Sequence, residues 1–284
     1  MHDSRVSPRA PLTILCQHER GSCAACCGVD NFVDRSDEAR RDRLRRRTRL
    51  VHEAGFDVER LVQAKETLLA LERPGVLFGN VKVCPFAGYV DGDDDPHERI
   101  GCLLHPLRHP TGEDLRDLSV YPQAVCAGHF CASHDWLRPV EVALAQAARG
   151  PTYGRVVTSA GLVKGVARLI VDARQRPITP SELERADDAL SELWRHLLER
   201  WPFVDPDPRR FGAFVYDGDE ATERTAPSCC GASSQTALVQ RPTPTERSVL
   251  DALGTRPLRD DDEAAQALML LRQSVTAVVR TLDG

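Results

Sequence analysis

The sequence lacks any apolar run long enough to cross a bilayer, and its first 16 residues contain no unbroken apolar stretch that could act as a secretory signal. We therefore expect a cytoplasmic protein that does not contact a membrane. Thiols stay free in that reducing compartment, so the ten cysteines of the chain do not indicate a disulfide framework. Metal binding becomes the leading explanation for them.

The chain also lacks the common sequence signatures of enzymes. It contains no phosphate-binding glycine loop, no dinucleotide-binding fingerprint, no HExxH zinc motif and no nucleophile elbow. The sequence therefore names no catalytic residue, and it leaves open whether the protein is an enzyme.

The chain lacks an excess of positive charge, since 42 acidic residues outnumber 37 lysines and arginines and the formal net charge is -5. This balance gives no general attraction to nucleic acid. The exception is the run RRDRLRRRTR between Arg40 and Arg49, which holds seven arginines and which Ser36 and Asp37 could open as a helix. We interpret the run as a solvated helix face rather than as a nucleic-acid-binding surface.

Aromatic residues make up only 5% of the 284 residues, whereas 42% are hydrophobic. This composition suits a helix-rich core, and the length suits two domains. Because eight of the ten cysteines precede residue 132, we predict a cysteine-cluster metal-binding domain over 1–137 and a mainly helical domain over 138–284. The predicted fold class is α+β and helix-dominated, with a short hairpin inside an irregular cysteine-rich module.

The first half shows helices and a hairpin by its apolar pattern. Helices are predicted over 35–53 and 57–73, the second ended by Pro74 and Gly75. Two short apolar segments between residues 76 and 103 flank the polar run DGDDDPH, which predicts two strands joined by a loop. Such a hairpin would bring Cys84 and Cys102 together.

The second half is predicted to be helical, and two of its helices begin at capping boxes that start at Thr179 and Thr243. The helix from Pro180 carries an apolar stripe that extends to Trp201, and the last helix carries a similar stripe. A short strand is predicted over Phe211–Tyr216, and a loop or flexible connector over 220–244.

Four separate segments of the first half supply eight cysteines. Thiolate sulfur is a soft, anionic ligand that binds zinc and iron-sulfur clusters, and a site needs about four such ligands. Two four-thiolate sites, or one cluster and one zinc, would use all eight. The predicted metal ligands are Cys16, Cys23, Cys26, Cys27, Cys84, Cys102, Cys126 and Cys131.

Cys26 and Cys27 are adjacent in the chain. Neighbouring residues rarely direct both sulfurs at one small tetrahedral ion without strain, so we expect the pair to serve different metals or opposite sides of a cluster. Cys229 and Cys230 lie far away in a polar loop, and we interpret them as an exposed pair outside the site.

Other polar residues near the cysteines could add metal ligands or offset the negative charge of the thiolates. The histidines are most simply polar loop residues, with His105 and His129 the leading candidates to join the cysteines as ligands. A four-thiolate zinc site carries a charge of about -2, which cations should offset. The candidates by position are Arg20, Arg99, Arg108 and His129.

The order of these motifs resembles that of the YkgJ-type cysteine-cluster family over about residues 16–131. The shared features are Cys-x2-Cys-Cys, then Cys-Pro, then Gly-Cys-x2-His-Pro, then Cys-x4-Cys. Six residues separate Cys16 from Cys23, where the family usually has three. The resemblance implies a zinc- or iron-chelating domain held by the eight cysteines, and says nothing about the second half.

Three functions follow as hypotheses from these patterns. The first is a metal-binding protein in which zinc or an iron-sulfur cluster has a structural or redox role. The second is a metal-dependent protein-modifying enzyme, because the family looks similar to the cysteine-rich part of flagellin lysine methylases. The third is binding of nucleic acid or a partner through Arg40–Arg49, which the charge disfavours. The C-terminal helices could dock a protein partner whose identity is unknown.

Overall fold

Helices dominate the residues that the computed structural model describes, which are 15–17, 21–93, 98–128, 131–207, 209–211, 214–217, 220–223 and 241–284. The predicted α+β class is confirmed at this level, since small antiparallel sheets accompany the helices. The elements are α1 (Asp37–Ala54), α2 (Val58–Glu72), β1 (Ala87–Tyr89), β2 (Ile100–Cys102), α3 (Gln123–Gly128), α4 (Ser133–Trp136), α5 (Pro139–Gln146), α6 (Thr152–Val157), α7 (Ala160–Arg174), α8 (Pro180–Arg185), α9 (Asp187–Glu199), β3 (Arg210–Phe211), β4 (Phe214–Asp217), β5 (Glu220–Glu223), α10 (Pro244–Ala252) and α11 (Asp261–Asp283).

Helices α1 and α2 confirm the two helices predicted in the first half. Ser36 caps α1 by accepting a hydrogen bond from the amide of Ala39, and Asp57 caps α2 by accepting one from the amide of Arg60. A 3₁₀ turn over Arg73–Gly75 ends α2 where Pro74 and Gly75 were expected to end it. None of the described helices combines the length and the apolarity that a membrane span requires.

Six of the seven arginines of the run are exposed or partly exposed, so the predicted solvated face is wrong only at Arg47. Arg47 is only 1% exposed, and its guanidinium forms an ion pair with Glu72 of α2 at 2.6 Å between Nη2 and Oε2. Arg41 pairs with Glu98, and Arg49 pairs with Asp93 beside the hairpin. The arginines thus attach α1 to its neighbours, and much of the charge that nucleic acid would need is already balanced.

The predicted hairpin is present as β1 and β2. The strands are antiparallel, and Ala87 lies opposite Cys102 in their register. Helix α1 packs on β1, where the hydroxyl of Thr48 accepts a hydrogen bond from the amide of Tyr89 at 2.8 Å. Buried apolar residues of α1, α2 and the hairpin form the core of this half, including Leu61 and Phe86.

The second half packs around a larger helical core. Trp194 of α9 is fully buried, and its indole Nε1 donates a hydrogen bond to the carbonyl of Leu144 at 2.9 Å. Helices α7 and α10 approach closely at Gly165, where an added Cβ would lie 2.5 Å from a methyl group of Val249. At the start of α10 the predicted capping box is complete, since Thr243 and Glu246 each accept a hydrogen bond from the other's amide.

The helix that was predicted to begin at Pro180 differs from the prediction. The helix from Pro180 breaks at Ala186, whose backbone angles are φ -95° and ψ 11°, and Trp201 lies beyond the end of α9. The acidic residue Asp187 starts the new helix, where the helix dipole favours it and Arg149 pairs with it.

The predicted single strand over 211–216 is instead two strands, β3 and β4, of a three-stranded antiparallel sheet. Its third strand, β5, occupies the beginning of the segment that was predicted to be a loop. Residues 224–240 of that segment, which include Cys229 and Cys230, lie outside the described residues.

The first cysteine segment packs against the second half. Leu15 is 1% exposed and belongs to the helical core, and its carbonyl accepts a hydrogen bond from the hydroxyl of Tyr153 at 2.8 Å. Gly21 lies against the same tyrosine ring, which leaves no room for a side chain there. The division of the chain after residue 137 stays a prediction. Leu15, which belongs to the predicted first domain, packs in the helical core of the second half.

Candidate metal centre

The first cysteine segment folds back on itself. Gln17 pairs with Ser22 in an isolated bridge, and the amide of Cys23 donates a hydrogen bond to the carbonyl of Cys16 at 2.8 Å. A 3₁₀ turn over Ala25–Cys27 follows and ends at Gly28, whose φ is 70°. A side chain at Gly28 would also collide with the carbonyl of Lys82. This compact turn places Cys16, Cys23, Cys26 and Cys27 near one another.

The later cysteines reach this turn from three directions. The amide of Cys84 donates a hydrogen bond to the carbonyl of Cys27 at 2.8 Å. Cys102 lies opposite Ala87 in the hairpin, and Ala87 follows Cys84 by three positions. Cys126 lies on α3, with its sulfur 3.3 Å from the hydroxyl of Ser119. The sulfur of Cys131 lies 3.7 Å from the carbonyl of Val157 in the helical half.

The thiols fall into two sets according to which sulfurs affect one another's pKa. The first set, the Cys16 group, comprises Cys16, Cys23, Cys26 and Cys131. Burial raises the pKa of Cys16 to about 11, and the sulfurs of Cys131 and Cys26 act in the same direction. Burial also raises the pKa of Cys23 to about 12, with Cys26, Cys16 and Cys131 contributing. Without a cation, Cys16 and Cys23 are therefore protonated at neutral pH.

A second set, the Cys84 group, comprises Cys27, Cys84, Cys102 and Cys126. Hydrogen bonding with the sulfurs of Cys26 and Cys84 raises the pKa of Cys27. The hydrogen bond from Cys27 lowers the pKa of Cys84 to about 7, helped by the amides of Phe86 and Val120. Burial raises the pKa of Cys102 to about 12, with Cys84 and Cys126 adding to it. Cys84 therefore ionises more readily than Cys27 or Cys102.

The thiols also act on two tyrosines: Tyr153, which is buried, and Tyr121, which is partly exposed. Burial raises the pKa of Tyr153, and the next contributions come from Cys23, Cys16 and Cys131. Burial likewise raises the pKa of Tyr121, followed by contributions from sulfurs of the Cys84 group and from Cys26. Cys26 therefore lies where the two groups meet, next to Cys27 in the chain.

In the described part of the chain, no three histidine, cysteine, aspartate or glutamate side chains converge tightly enough to form a ready metal site. The eight cysteines there are free thiols, without a disulfide among them. Metal binding would thus require the sulfurs of each group to draw closer. The donor chemistry fits a soft thiophilic metal, because each group offers four sulfurs from separate segments.

An unpartnered hydroxyl also fits an anionic thiolate centre. Ser133 is 1% exposed, and its Oγ has no hydrogen-bond partner among the described residues. It follows Cys131 by two positions. A buried hydroxyl without an acceptor costs free energy, and thiolate sulfur is an acceptor that metal binding at Cys131 would create.

The histidines near the cysteines have other contacts. Nδ1 of His105, one of the two leading histidine candidates, accepts a hydrogen bond from the amide of Leu107 at 3.2 Å. His134 has its Nε2 3.2 Å from the amide of Leu15 and its Nδ1 3.7 Å from the sulfur of Cys131. His129, the other candidate, lies outside the described residues.

The cations expected beside the cysteines are mostly engaged elsewhere. Arg99 and Arg108 both pair with Asp91 in the loop after β1, and Arg20 lies outside the described residues. Arg116, which the sequence analysis missed, is a cation beside the thiols: it donates a hydrogen bond to the carbonyl of Cys126 at 3.1 Å. Only its place between Cys102 and Cys126 could have indicated it, since it belongs to no motif.

Arg116 acts on both cysteine groups. Burial raises the pKa of Cys102 and of Cys16, and in each case the Arg116 guanidinium opposes part of the effect. Asp114 fixes this guanidinium at 2.6 Å between Oδ2 and Nη2. The arginine is therefore held where it can offset negative charge on either group.

No protein-family model, no curated protein and no solved structure matches this chain. The resemblance to the YkgJ-type family therefore rests on the cysteine spacing alone and stays a prediction.

Proposed function

We propose that this is a metal-binding protein that holds zinc or an iron-sulfur cluster through Cys16, Cys23, Cys26, Cys27, Cys84, Cys102, Cys126 and Cys131, with a structural or redox role. The observation that carries the proposal is the gathering of eight free cysteines from four chain segments into two groups that meet at Cys26 and Cys27.

The raised pKa values give a physical reason for a metal. A cluster of buried thiols that stays protonated adds little to stability and is open to oxidation. A bound cation reverses that balance, because it deprotonates its sulfur ligands and releases the protons to solvent. The binding free energy of the metal would then stabilise an irregular module that contains few regular elements.

The proposed arrangement has one four-thiolate site per group. Cys26 would serve the Cys16 group and Cys27 the Cys84 group, which relieves the geometric conflict between adjacent residues. The amides of Phe86, Val120 and Leu104 already donate hydrogen bonds to sulfurs of the Cys84 group, and such donors are a common means of stabilising negative thiolate centres. The cytoplasmic location and a partner at the C-terminal helices stay predictions.

Anaerobic purification followed by metal analysis and an absorption spectrum tests this proposal. Zinc would give stoichiometric metal with no visible absorption, whereas a cluster would give iron, acid-labile sulfide and a broad visible absorption that bleaches on reduction. The control is the Cys229→Ser/Cys230→Ser double variant, which we expect to keep its full metal content. A parent protein with neither metal would contradict the proposal.

A further inference from the structure

His134 lies in the first turn of α4, three residues after Cys131. Its backbone amide donates a hydrogen bond to the carbonyl of Cys131 at 3.0 Å, and this turn brings its ring back to the cysteine side chain. Nδ1 of the ring lies 3.7 Å from the sulfur of Cys131, within hydrogen-bond range for a sulfur atom. A histidine in this position could be a metal ligand, a base or a hydrogen-bond donor, and the place of its ring proton decides among these roles.

The backbone amide of Leu15 fixes the position of that proton. It donates a hydrogen bond to Nε2 of His134 at 3.2 Å. A backbone amide nitrogen is always the donor in such a bond, so Nε2 must offer its lone pair. A neutral imidazole carries one proton on its two nitrogens. The proton of His134 is therefore on Nδ1, the nitrogen that faces the sulfur of Cys131.

Packing in the helical half holds Leu15 in this orientation. Its side chain is 1% exposed and belongs to the helical core. Its carbonyl accepts a hydrogen bond from the hydroxyl of Tyr153 at 2.8 Å, and that hydroxyl belongs to a fully buried side chain of α6. The amide of Leu15 therefore has little freedom to turn away from His134, and the tautomer of the ring follows from contacts made far along the chain.

This tautomer excludes two of the three roles. A metal bound to Nδ1 would move the ring proton to Nε2, where it would collide with the N–H of Leu15. A base would end in the same conflict, since an imidazolium carries a proton on both nitrogens. The remaining role is the donation of a hydrogen bond from Nδ1 to the sulfur of Cys131.

We propose that His134 is a positioning residue of the Cys16 group: a neutral hydrogen-bond donor that stabilises the Cys131 thiolate when a metal binds. This role rests on the proposed metal binding and deepens it. As a thiol, Cys131 donates its proton to the carbonyl of Val157 at 3.7 Å. Loss of that proton would leave the sulfur facing a carbonyl oxygen, and the N–H of His134 then supplies the hydrogen bond that a thiolate needs.

Long-range proton–nitrogen NMR spectra of the full-length protein, labelled at its histidine nitrogens, read the tautomer directly. The His134 signal is identified by its absence from the His134→Asn variant. It should show a protonated Nδ1 and an unprotonated Nε2, both in the protein as purified and after treatment with a chelator. A proton on Nε2 in the folded protein would overturn the proposal. Because this spectrum needs no metal, it tests the tautomer separately from metal binding.

Zinc affinity, measured without oxygen by competition with a coloured chelator, tests the hydrogen bond itself. His134→Ala and His134→Gln should each weaken zinc binding at one site by about 10–100-fold, since neither variant places a donor at the position of Nδ1. His134→Asn should recover most of the affinity, because its side-chain amide can place an N–H there. His52→Ala is the matched control, since this histidine is exposed on α1, and it should leave the affinity unchanged.

Melting curves identify any variant that fails to fold, and the other variant without a donor then decides. Parental affinity in the folded alanine and glutamine variants would overturn the proposal, and so would an equal loss in His134→Asn. A parent protein that binds no metal would contradict both the proposed function and the role of His134 at a thiolate, while the nitrogen spectrum would still decide the tautomer.

Discussion

Replacing Cys26 with serine is expected to remove metal from the Cys16 group, whereas replacing Cys27 with serine is expected to remove it from the Cys84 group. The two sulfurs hydrogen-bond to each other, but their other neighbours differ, since Cys27 also bonds with Cys84 while Cys26 acts on Cys16 and Cys23. Each thiolate contributes several kcal/mol to a structural zinc site worth roughly 10–16 kcal/mol. Metal stoichiometry and thermal unfolding, measured without oxygen, should therefore change in both variants.

The Cys229→Ser variant is the control for this pair, because it removes a thiol that lies far along the chain from both groups. If both Cys26→Ser and Cys27→Ser keep full metal occupancy and the parental melting temperature, the cysteines are ordinary thiols. If both variants lose the same metal, the division into two groups is wrong.

Removing one partner of the Arg47–Glu72 ion pair is expected to cost about 3–5 kcal/mol of unfolding free energy. The two side chains are 1% and 3% exposed, so the Arg47→Met variant leaves the Glu72 carboxylate buried without its cation. The Arg47→Met/Glu72→Met double variant should recover most of the loss, because no charge then stays buried. Urea unfolding of the parent and of the three variants completes a double-mutant cycle with Glu72→Met.

Helix α1 itself supplies the control for this prediction. The Arg41–Glu98 pair has side chains that are 43% and 22% exposed, so Arg41→Met should cost only about 0–1 kcal/mol. If Arg41→Met and Arg47→Met lose equal amounts of unfolding free energy, the burial of the Arg47–Glu72 pair does not increase the cost of removing its cation. If the double variant is as unstable as Arg47→Met alone, the buried, unpaired carboxylate of Glu72 is not the cause of the destabilisation.

Local signals were sufficient to predict the bounds of α1 and α2 and the starts of α8 and α10. Ser36, Thr243 and the Pro74–Gly75 pair act through hydrogen bonds and backbone angles within a few residues, which the sequence displays directly. The hairpin was also predictable, since its polar loop separates two short apolar segments. These features depend on neighbours along the chain.

Features that depend on distant partners could not be predicted. Arg47 is buried because Glu72 lies 25 positions away on another helix, and an arginine-rich run alone suggests an exposed face. Leu15 joins the helical core through Tyr153, which follows it by 138 positions. Arg149, which pairs with Asp187 at the break after Ala186, lies in the distant loop between α5 and α6. Each case requires the packing of elements, which a single sequence does not display.

The candidate site also combines features that local sequence predicts with features that depend on distant residues. The adjacency of Cys26 and Cys27 was enough to predict that they serve different positions, and this stays a prediction about metal. The membership of the other cysteines depends on long-range contacts such as the hydrogen bond from the amide of Cys84 to the carbonyl of Cys27. Arg116 escaped notice because arginine is abundant in this chain and nothing in its immediate sequence distinguishes it.

The number of thiols that react with an alkylating reagent, counted by mass in native protein purified without oxygen, tests metal ligation most directly. Cys26 is exposed to solvent, so it should react readily unless a metal holds its sulfur. We predict that Cys26 and the other seven proposed ligands stay unmodified until a strong chelator is added and then react, while Cys229 and Cys230 react in both cases. The same set of modified cysteines before and after chelation, with Cys26 among them, would contradict the account.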